Sequence, residues 1–288
     1  MILTIKDEKL LVSVDTFGGE ITSIYKNEKE YLWQGDKAFW GGQSPLLFPI
    51  VGHLKDGKIK IRGKEHTMKA HGFIKETELI VSKHTDEEMV LTTSYDEGTL
   101  EKYPFKFKFT VSFKIVEGTL DATYEIENLD DEKMPFNFGL HPGFNCSFGD
   151  GEAIEEYYVE FPEKKILETA IFNDDIRVQL DVTKKLVDDE TRFYFKDELF
   201  YRTVIFHDID FDSIILGHKI KGPIFKFSYS GFHVLALYRA QGAPFICLEP
   251  WTGHDAIVQN FENFEENPTV QFLDIGEKRC FKMNITNF

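Results

Sequence analysis

The chain has 288 residues, of which 42% are hydrophobic, 28% are charged and 15% are aromatic, with 28 phenylalanines. This composition is typical of a folded globular protein and excludes intrinsic disorder and a coiled coil, while the aromatic content favours strands over helices. The net charge of −16 repels phosphate backbones and anionic lipids, so we expect neither a nucleic-acid partner nor a membrane partner.

The first strands predicted from the alternation of apolar and polar residues are at 10–14, 79–82 and 89–94. The clearest pattern follows at 105–115 and resumes at 120–126 after the turn Glu117-Gly118, which predicts an antiparallel hairpin. The later predicted strands are at 157–161, 224–229, 234–238, 245–248 and 280–285, and further turns are predicted at Gly18-Gly19, Asp56-Gly57, 149–151 and Gly222-Pro223. Together these elements predict an all-β fold, a large antiparallel sandwich or barrel, in one domain spanning residues 1–288.

The three cysteines, Cys146, Cys247 and Cys280, are far apart and show no CxxC spacing. We therefore expect free, buried thiols in a reducing compartment, and neither a disulfide framework nor a zinc motif. The amino-terminal sequence lacks the pattern of a signal peptide, and no apolar run approaches the roughly 18 residues of a transmembrane helix. These features predict a cytoplasmic protein.

Four segments depart from the strand pattern, and the first two contain candidate binding residues. In residues 42–53, GQSPLLFPIVGH, two prolines exclude a regular central strand while the apolar residues indicate burial, and a buried loop often lines a site. Gln43 and His53 are its candidate ligand contacts, although His53 could equally lie at the surface. In the second segment, His71 is either a structural histidine or a site residue, and Gly72 would allow a sharp turn or a close approach to a ligand.

The third segment, residues 137–145, places His141 between two glycines and before a proline. The proline favours an extended backbone, and a histidine held rigidly in this way is a good candidate for catalysis. The alternative is a turn in which the ring binds a backbone carbonyl. Phe144 and Asn145, at the end of the same segment, are candidate contacts for a substrate.

The fourth segment is residues 245–255. It begins with a wholly apolar strand, and Glu249 stands at the end of that strand. A carboxyl group at the mouth of a buried strand is partly desolvated, which raises its pKa and makes it a competent base. The alternative is an edge residue in water. Trp251 would offer a flat apolar wall of the kind that sugar rings pack against.

Together the four segments resemble one family, the aldose 1-epimerases (galactose mutarotases), and within it the LacX-like branch. The matching sequences are SPLLFPIVG at 44–52, HGF at 71–73, GLHPGFN at 139–145 and LEPWTG at 248–253, in the order and spacing of that family. The resemblance covers essentially the whole chain. It implies a β-supersandwich with an open sugar cleft, and an isomerase that interconverts the α and β anomers of a free aldose without metal or organic cofactor.

The resemblance also implies a role for each catalytic candidate. Glu249 matches the base that takes the proton of the C1 hydroxyl, His141 matches the acid that protonates the ring oxygen, and His71 matches a second histidine that binds the sugar. The partner would be a small sugar, and the chain would be a monomer or a homodimer.

Two positions depart from the family pattern. His53 stands where an arginine is common. The acidic residue that binds sugar hydroxyls falls near Arg202, which has the opposite charge, so Asp208, with Asp210 beside it, is a nearby candidate for that role. The altered binding residues leave the sugar open. The alternatives are a carbohydrate-binding protein without catalysis, and a hexose-6-phosphate mutarotase, which would need a cluster of arginines or lysines for the phosphate.

Overall fold

The computed structural model describes residues 1–148, 152–258 and 261–286, and these residues fold mainly into β-strands. The strands are β1 (Ile2–Lys6), β2 (Leu11–Asp15), β3 (Glu20–Lys26), β4 (Lys29–Glu30), β5 (Leu46–Leu47), β6 (Lys58–Ile61), β7 (Lys64–Thr67), β8 (Ile80–His84), β9 (Glu88–Ser94), β10 (Phe107–Val116), β11 (Thr119–Asn128), β12 (Met134–Phe136), β13 (Gly139–Leu140), β14 (Gly143–Asn145), β15 (Tyr157–Phe172), β16 (Val178–Tyr194), β17 (Val204–Phe206), β18 (Ser213–His218), β19 (Gly222–Ser230), β20 (Val234–Tyr238), β21 (Phe245–Trp251), β22 (Gln271–Leu273) and β23 (Lys278–Thr286).

Helical structure in the described ranges is limited to short segments. They are the α-helix α1 (Glu97–Lys102) and the 3-10 turns Lys55–Gly57, Ile74–Glu76, Ile154–Glu156, Asp197–Tyr201 and Phe264–Glu266. None of these helices has the length and hydrophobicity needed to cross a membrane.

One 15-stranded sheet dominates the fold, and the named strand pairs are antiparallel. Its order is β5-β13-β21-β20-β17-β15-β18-β19-β23-β11-β10-β9-β8, with β14 also paired to β21 and β16 to β15. Strands β1 to β4 form a separate four-stranded meander, and β12 with β22 and β6 with β7 form two small sheets. The architecture confirms the all-β antiparallel prediction.

The hairpin of β10 and β11 shows why the alternating sequence folds as it does. Phe109 faces Ile126 in the register, and both are fully buried. On the opposite face Lys114 lies across from Asp121, so opposite charges meet in solvent. The turn between the strands has positive φ angles at Glu117 and Gly118, of 52° and 78°, as a tight two-residue turn requires.

An aromatic core anchors the proline-rich loop under the large sheet. Phe48, within that loop, is fully buried, and its ring centroid lies 5.1 Å from that of Phe107 and 5.8 Å from that of Phe109. Further rings of Phe73 and Tyr103 meet Phe48 edge-on. The loop therefore packs against the aromatic face of β10, the face that the alternating sequence predicts to be buried.

The predicted strands all overlap observed ones, but several differ in extent and other observed strands were not predicted. Phe105 is buried yet precedes β10, which begins at Phe107. The long strand β16 was not predicted, because most of its residues are exposed and its sequence has no regular alternation. The predicted turn at 149–151 lies outside the described residues.

The expectation of buried thiols is wrong for one cysteine. Cys146 and Cys247 are free and buried, whereas Cys280 is free and exposed. Cys280 belongs to the solvent face of β23, where alternate residues point away from the core.

We expect Phe109→Ala to lower the free energy of unfolding by about 3–5 kcal/mol, because it leaves a cavity in this aromatic core. The exposed Lys114 on the same strand provides the control, and Lys114→Ala should change stability by less than about 0.5 kcal/mol. Denaturant unfolding measures both values, and equal losses for the two variants would contradict the assigned faces of β10.

Candidate active site

A cavity of about 290 Å³ opens beside strand β21 and draws on all four segments that interrupt the strand pattern. It is lined by Trp40, Gly52, His53, His71, His141, Phe172, Ile176, Val178, Arg202, Thr203, Ile205, Tyr238, Glu249, Trp251, His254 and Ala256. Its size is close to the lower end for small-molecule sites, and its wall combines aromatic and aliphatic side chains with a few convergent polar groups.

Glu249 is the one carboxyl group in this lining, and it is 1% exposed. Strand β21 is buried along its whole length and pairs with β20 on one side and with β13 and β14 on the other. Neither carboxylate oxygen accepts a hydrogen bond from the described residues. Burial raises the pKa of Glu249 well above its ordinary value, and the nearby Trp251 indole N–H acts in the opposite direction.

His141 faces this carboxyl group, with its Nε2 atom 3.2 Å from Oε2 of Glu249. Its ring stacks on Trp40 at a centroid distance of 4.8 Å and meets the edge of Tyr238 at 5.9 Å. Burial, and then the nearby His71, lower the pKa of His141 well below its ordinary value. The aromatic contacts fix the imidazole in the orientation that directs Nε2 at Glu249.

Glycines on both sides of His141 allow this close packing. A Cβ atom at Gly139 would lie 2.5 Å from Cδ1 of Trp251, and one at Gly143 would lie 3.0 Å from Cζ3 of Trp40. The distance of 2.5 Å at Gly139 is shorter than real Cβ atoms adopt, so a larger residue there would displace Trp251. The sequence Gly-Leu-His-Pro-Gly therefore lets the histidine segment run directly against both tryptophans.

His71 lies in the left-handed region with φ of 66°, next to Gly72 with φ of 72°. Its Nδ1 atom accepts a hydrogen bond from the backbone N–H of Gly52 at 3.1 Å. The proton of the neutral ring is consequently on Nε2, which is free to donate. Burial, with the positive charges of Lys75 and His53, lowers the pKa of His71 to about 4.

Asp255 joins the segments that carry these groups. Its carboxylate accepts hydrogen bonds from the Val51 N–H at 2.7 Å, from Asn137 Nδ2 at 3.0 Å and from Asn267 Nδ2 at 2.8 Å. Burial raises the pKa of Asp255 to about 7, against the lowering effect of these three donors. The residue thus holds the proline-rich loop against the strands that bear His141 and Glu249.

The sequence model of the aldose 1-epimerase family matches residues 1–206 of this chain. The chain belongs to the aldose 1-epimerase family. The match includes His71 and His141, whereas Glu249 lies beyond it, in a part of the chain that the following whole-length relatives also cover.

Two LacX proteins of Lactococcus lactis subsp. lactis, one plasmid-encoded and one chromosomal, are each 28% identical over 100% of both chains. A galactose mutarotase related enzyme from Lactobacillus acidophilus is 25% identical, with a TM-score of 0.91 over 100% of this chain and 98% of the other. A galactose mutarotase-like protein from Lactobacillus casei is 23% identical, with a TM-score of 0.88 over 99% of each chain. The fold is therefore that of the galactose mutarotase-like β-sandwiches, and the chain is similar to LacX proteins.

Five of the candidate site residues predicted from the sequence line the cavity together. They are His53, His71, His141, Glu249 and Trp251.

Two other polar candidates do not line the cavity. The Gln43 side chain donates to the backbone oxygens of Thr22 and Trp33, at 2.8 and 3.2 Å. The Asn145 side chain donates to the backbone oxygens of Glu30 and Leu32, at 2.9 and 3.0 Å. Both amides join their segments to the region of strands β3 and β4, and their role in substrate binding stays a prediction.

The remaining two candidates also lie elsewhere. Phe144 is fully buried in the core, 4.7 Å from the ring of Phe225 by centroid distance. Asp208 is exposed and lines a different surface depression with Lys165 and His207. Asp208 thus lies outside the lining of the cavity, and its role in binding the ligand stays a prediction.

Most of the lining residues were not among the sequence candidates, including two rings that contact His141 and two basic side chains. Trp40 and Tyr238 contact the His141 ring, but neither is part of a motif that marks them. His254 is buried, with Nε2 3.3 Å from Nε2 of His207, and burial together with His207 lowers its pKa to about 3. Arg202, which the sequence places where an acid was expected, contributes a positive charge to the cavity instead.

The contribution of Asp255 to stability should depend on pH. Because burial raises its pKa from 3.8 to about 7, the native chain retains a proton that the unfolded chain releases in this window, so rising pH favours unfolding. The quantity to follow is the free energy of unfolding of the unmodified chain minus that of Asp255→Asn. This difference should decrease by up to roughly 4 kcal/mol as the pH rises from about 4 to about 7.

Denaturant unfolding of both chains across that range measures this difference. Titrations of the other groups are common to both chains and cancel in the subtraction. Asp86→Asn, at an exposed site, serves as the matched control. A difference for Asp255→Asn that is independent of pH would contradict the raised pKa.

Proposed function

We propose that the protein is a mutarotase that interconverts the α and β anomers of a free aldose such as galactose or glucose. The observation that carries this proposal is the pair of Glu249 and His141, whose side chains lie 3.2 Å apart in the wall of the cavity. Anomer exchange needs one group to remove the proton of the C1 hydroxyl and another to deliver a proton to the ring oxygen. A carboxylate and an imidazole at this spacing can serve two adjacent oxygens of one sugar.

In the proposed reaction Glu249 takes the proton from the C1 hydroxyl while His141 gives a proton to the ring oxygen. The bond between C1 and the ring oxygen breaks, leaving an aldehyde at C1 and a hydroxyl at the former ring oxygen. Rotation about C1–C2 presents the other face of the aldehyde. The two groups then reverse their roles, and reclosure yields the other anomer with both side chains restored.

Burial strengthens both groups for these roles. A raised pKa makes the ionised form of Glu249 a stronger base than a carboxylate in water, and a lowered pKa makes protonated His141 a stronger acid. The His71 Nε2–H is available to donate a hydrogen bond to a sugar oxygen, since its Nδ1 is occupied by Gly52. Trp40 and Trp251 supply flat apolar surfaces beside these polar atoms.

We expect Glu249→Gln to abolish accelerated anomer exchange, a loss of at least about 100-fold, because the amide cannot accept the hydroxyl proton. Two-dimensional exchange NMR between the anomeric protons of galactose and of glucose measures the rate at equilibrium. Glu87→Gln, at an exposed position, is the control for charge removal. Circular dichroism and thermal unfolding of both variants check that the fold is retained.

An active Glu249→Gln variant would refute the assignment of the base. If the native chain binds these sugars without accelerating exchange, the alternative of a carbohydrate-binding protein without catalysis is supported instead.

One observation favours a second candidate, a mutarotase for an aldose that carries an anionic group, such as a hexose 6-phosphate. The Arg202 guanidinium lines the cavity and donates to the backbone oxygen of Tyr201 at 3.2 Å. No carboxylate of the described residues lies within ion-pair distance of it. A cavity with one guanidinium, four imidazoles and one carboxyl group suits an anion although the whole chain is acidic.

The sheet register indicates how far this arginine lies from the catalytic pair. Ile205, Ala236 and Glu249 are direct neighbours on three adjacent strands, so Ile205 is about 10 Å from Glu249 across the sheet. Arg202 precedes Ile205 by three residues, a further displacement of about 10 Å along the chain. Its long side chain would therefore meet the end of an aldose opposite to C1.

We expect Arg202→Gln to raise KM for glucose 6-phosphate by about tenfold or more, since a charge-assisted contact contributes about 1.5–3 kcal/mol. The rate with glucose should be unchanged. Arg192→Gln, which removes an arginine paired with Glu160 outside this lining, is the control. Equal effects on both sugars would contradict recognition of the phosphate by Arg202.

A further inference from the structure

Behind the proposed proton carriers lies a third group able to ligate metal. A ring nitrogen of His141, Cys247 Sγ and a carboxylate oxygen of Glu249 all lie within 4.8 Å of one another, and all three residues are buried. Cys247 and Glu249 are two residues apart on β21, so their side chains lie on the same face of the strand.

The opposite strand leaves room for this cluster. Gly143 is the register partner of Cys247 and has no side chain, so the segment that carries His141 can pass close to the thiol. In the sequence these ligands show no metal-binding spacing, because His141 belongs to one motif and Cys247 lies on a strand far along the chain. Strand pairing alone brings them together.

The spacing matches the coordination sphere of a small cation. With no edge longer than 4.8 Å, the triangle has a point about 2.8 Å or less from all three atoms, so small side-chain shifts would reach the zinc–ligand distances of about 2.0–2.3 Å. Both Glu249 oxygens lack hydrogen-bond donors among the described residues, so ligation would break no existing bond.

We propose that His141, Cys247 and Glu249 form a binding site for a thiophilic divalent cation such as Zn²⁺, and that the bound cation inhibits anomer exchange. The inhibition rests on the proposed function, because the cation would occupy both proton carriers. The binding of the cation is independent of that function. A thiolate and a carboxylate together neutralise the two positive charges, which makes burial of the ion favourable. The sulfur ligand selects Zn²⁺ and Cd²⁺ over Mg²⁺ and Ca²⁺.

The cavity supplies access and a fourth ligand. Glu249 and His141 both line it, whereas Cys247 lies behind them. A cation entering from the cavity would meet the carboxylate and the imidazole first, then the sulfur, and would retain a water on the open side, an arrangement of three protein ligands plus water that zinc commonly adopts.

A spectroscopic titration tests the site without reference to activity. Metal-free protein titrated with Cd²⁺ should develop a sulfur-to-metal charge-transfer absorption that saturates at one equivalent. Cys247→Ser should lose this absorption, and Cys280→Ser, which removes the exposed thiol, should keep it. Cys247→Ala is the second variant if the serine destabilises the strand. A wild-type chain without the absorption, or a Cys247 variant that retains it, overturns the site.

Inhibition is tested by anomer exchange in the presence of Zn²⁺. The native chain and Cys280→Ser should lose most of their activity at one equivalent, whereas Cys247→Ser should need at least tenfold more Zn²⁺ for the same loss. Mg²⁺ should have no effect on any of the three. Cation binding without inhibition, or equal inhibition of Cys247→Ser, overturns the proposal. If no aldose is turned over at all, the proposed function fails, and the Cd²⁺ titration alone then decides the metal site.

Discussion

The constraint on which the site depends is a carboxyl group in a fully buried strand that accepts no hydrogen bond from the described residues. Glu249 can occupy that position because the strands on both sides satisfy the backbone of β21, so the side chain alone bears the desolvation. The contact with His141 offers it a group that can exchange a proton with it. The rest of the cavity wall follows from keeping these two side chains together and away from bulk water.

The surrounding structure provides this arrangement by close packing more than by polar networks. Trp40 fixes the His141 ring by stacking, and the glycines at 139 and 143 let the backbone pass under both tryptophans. A polar junction close to the cavity is Asp255, which accepts hydrogen bonds from three separate segments. A rigid wall made in this way can hold the reacting groups without each needing its own hydrogen-bonded support.

The fold was predictable because it depends on local alternation, whereas the site was predictable only in part. Strands such as β10 and β11 show their buried face directly in the sequence, and His71, His141 and Glu249 stand in segments where the alternation breaks. Gln43 and Asn145 stand in segments that reach the cavity, but their amides donate to backbone carbonyls of strands β3 and β4. Which way a polar side chain points within a loop is decided by tertiary contacts that no sequence period reports.

The residues missed by the sequence reasoning reach the cavity through strand order. Tyr238 becomes a neighbour of His141 because β20 pairs with β21, which in turn pairs with β13 and β14. Arg202 reaches the same cavity from the turn that leads into β17. These pairings join parts of the chain that are far apart in sequence, and no local pattern announces them.

The same strand order has a consequence for how the chain acquires its structure. One end of the large sheet is built from β5, β13, β21 and β20, which are drawn from the first fifth, the middle and the last fifth of the chain. To bring such remote segments into contact, the chain must close large loops, which costs conformational entropy before the contacts stabilise it. Topologies dominated by contacts of this kind therefore fold slowly. The hairpin of β10 and β11 can form early from its own residues, while the cavity wall must wait until nearly the whole polypeptide has left the ribosome.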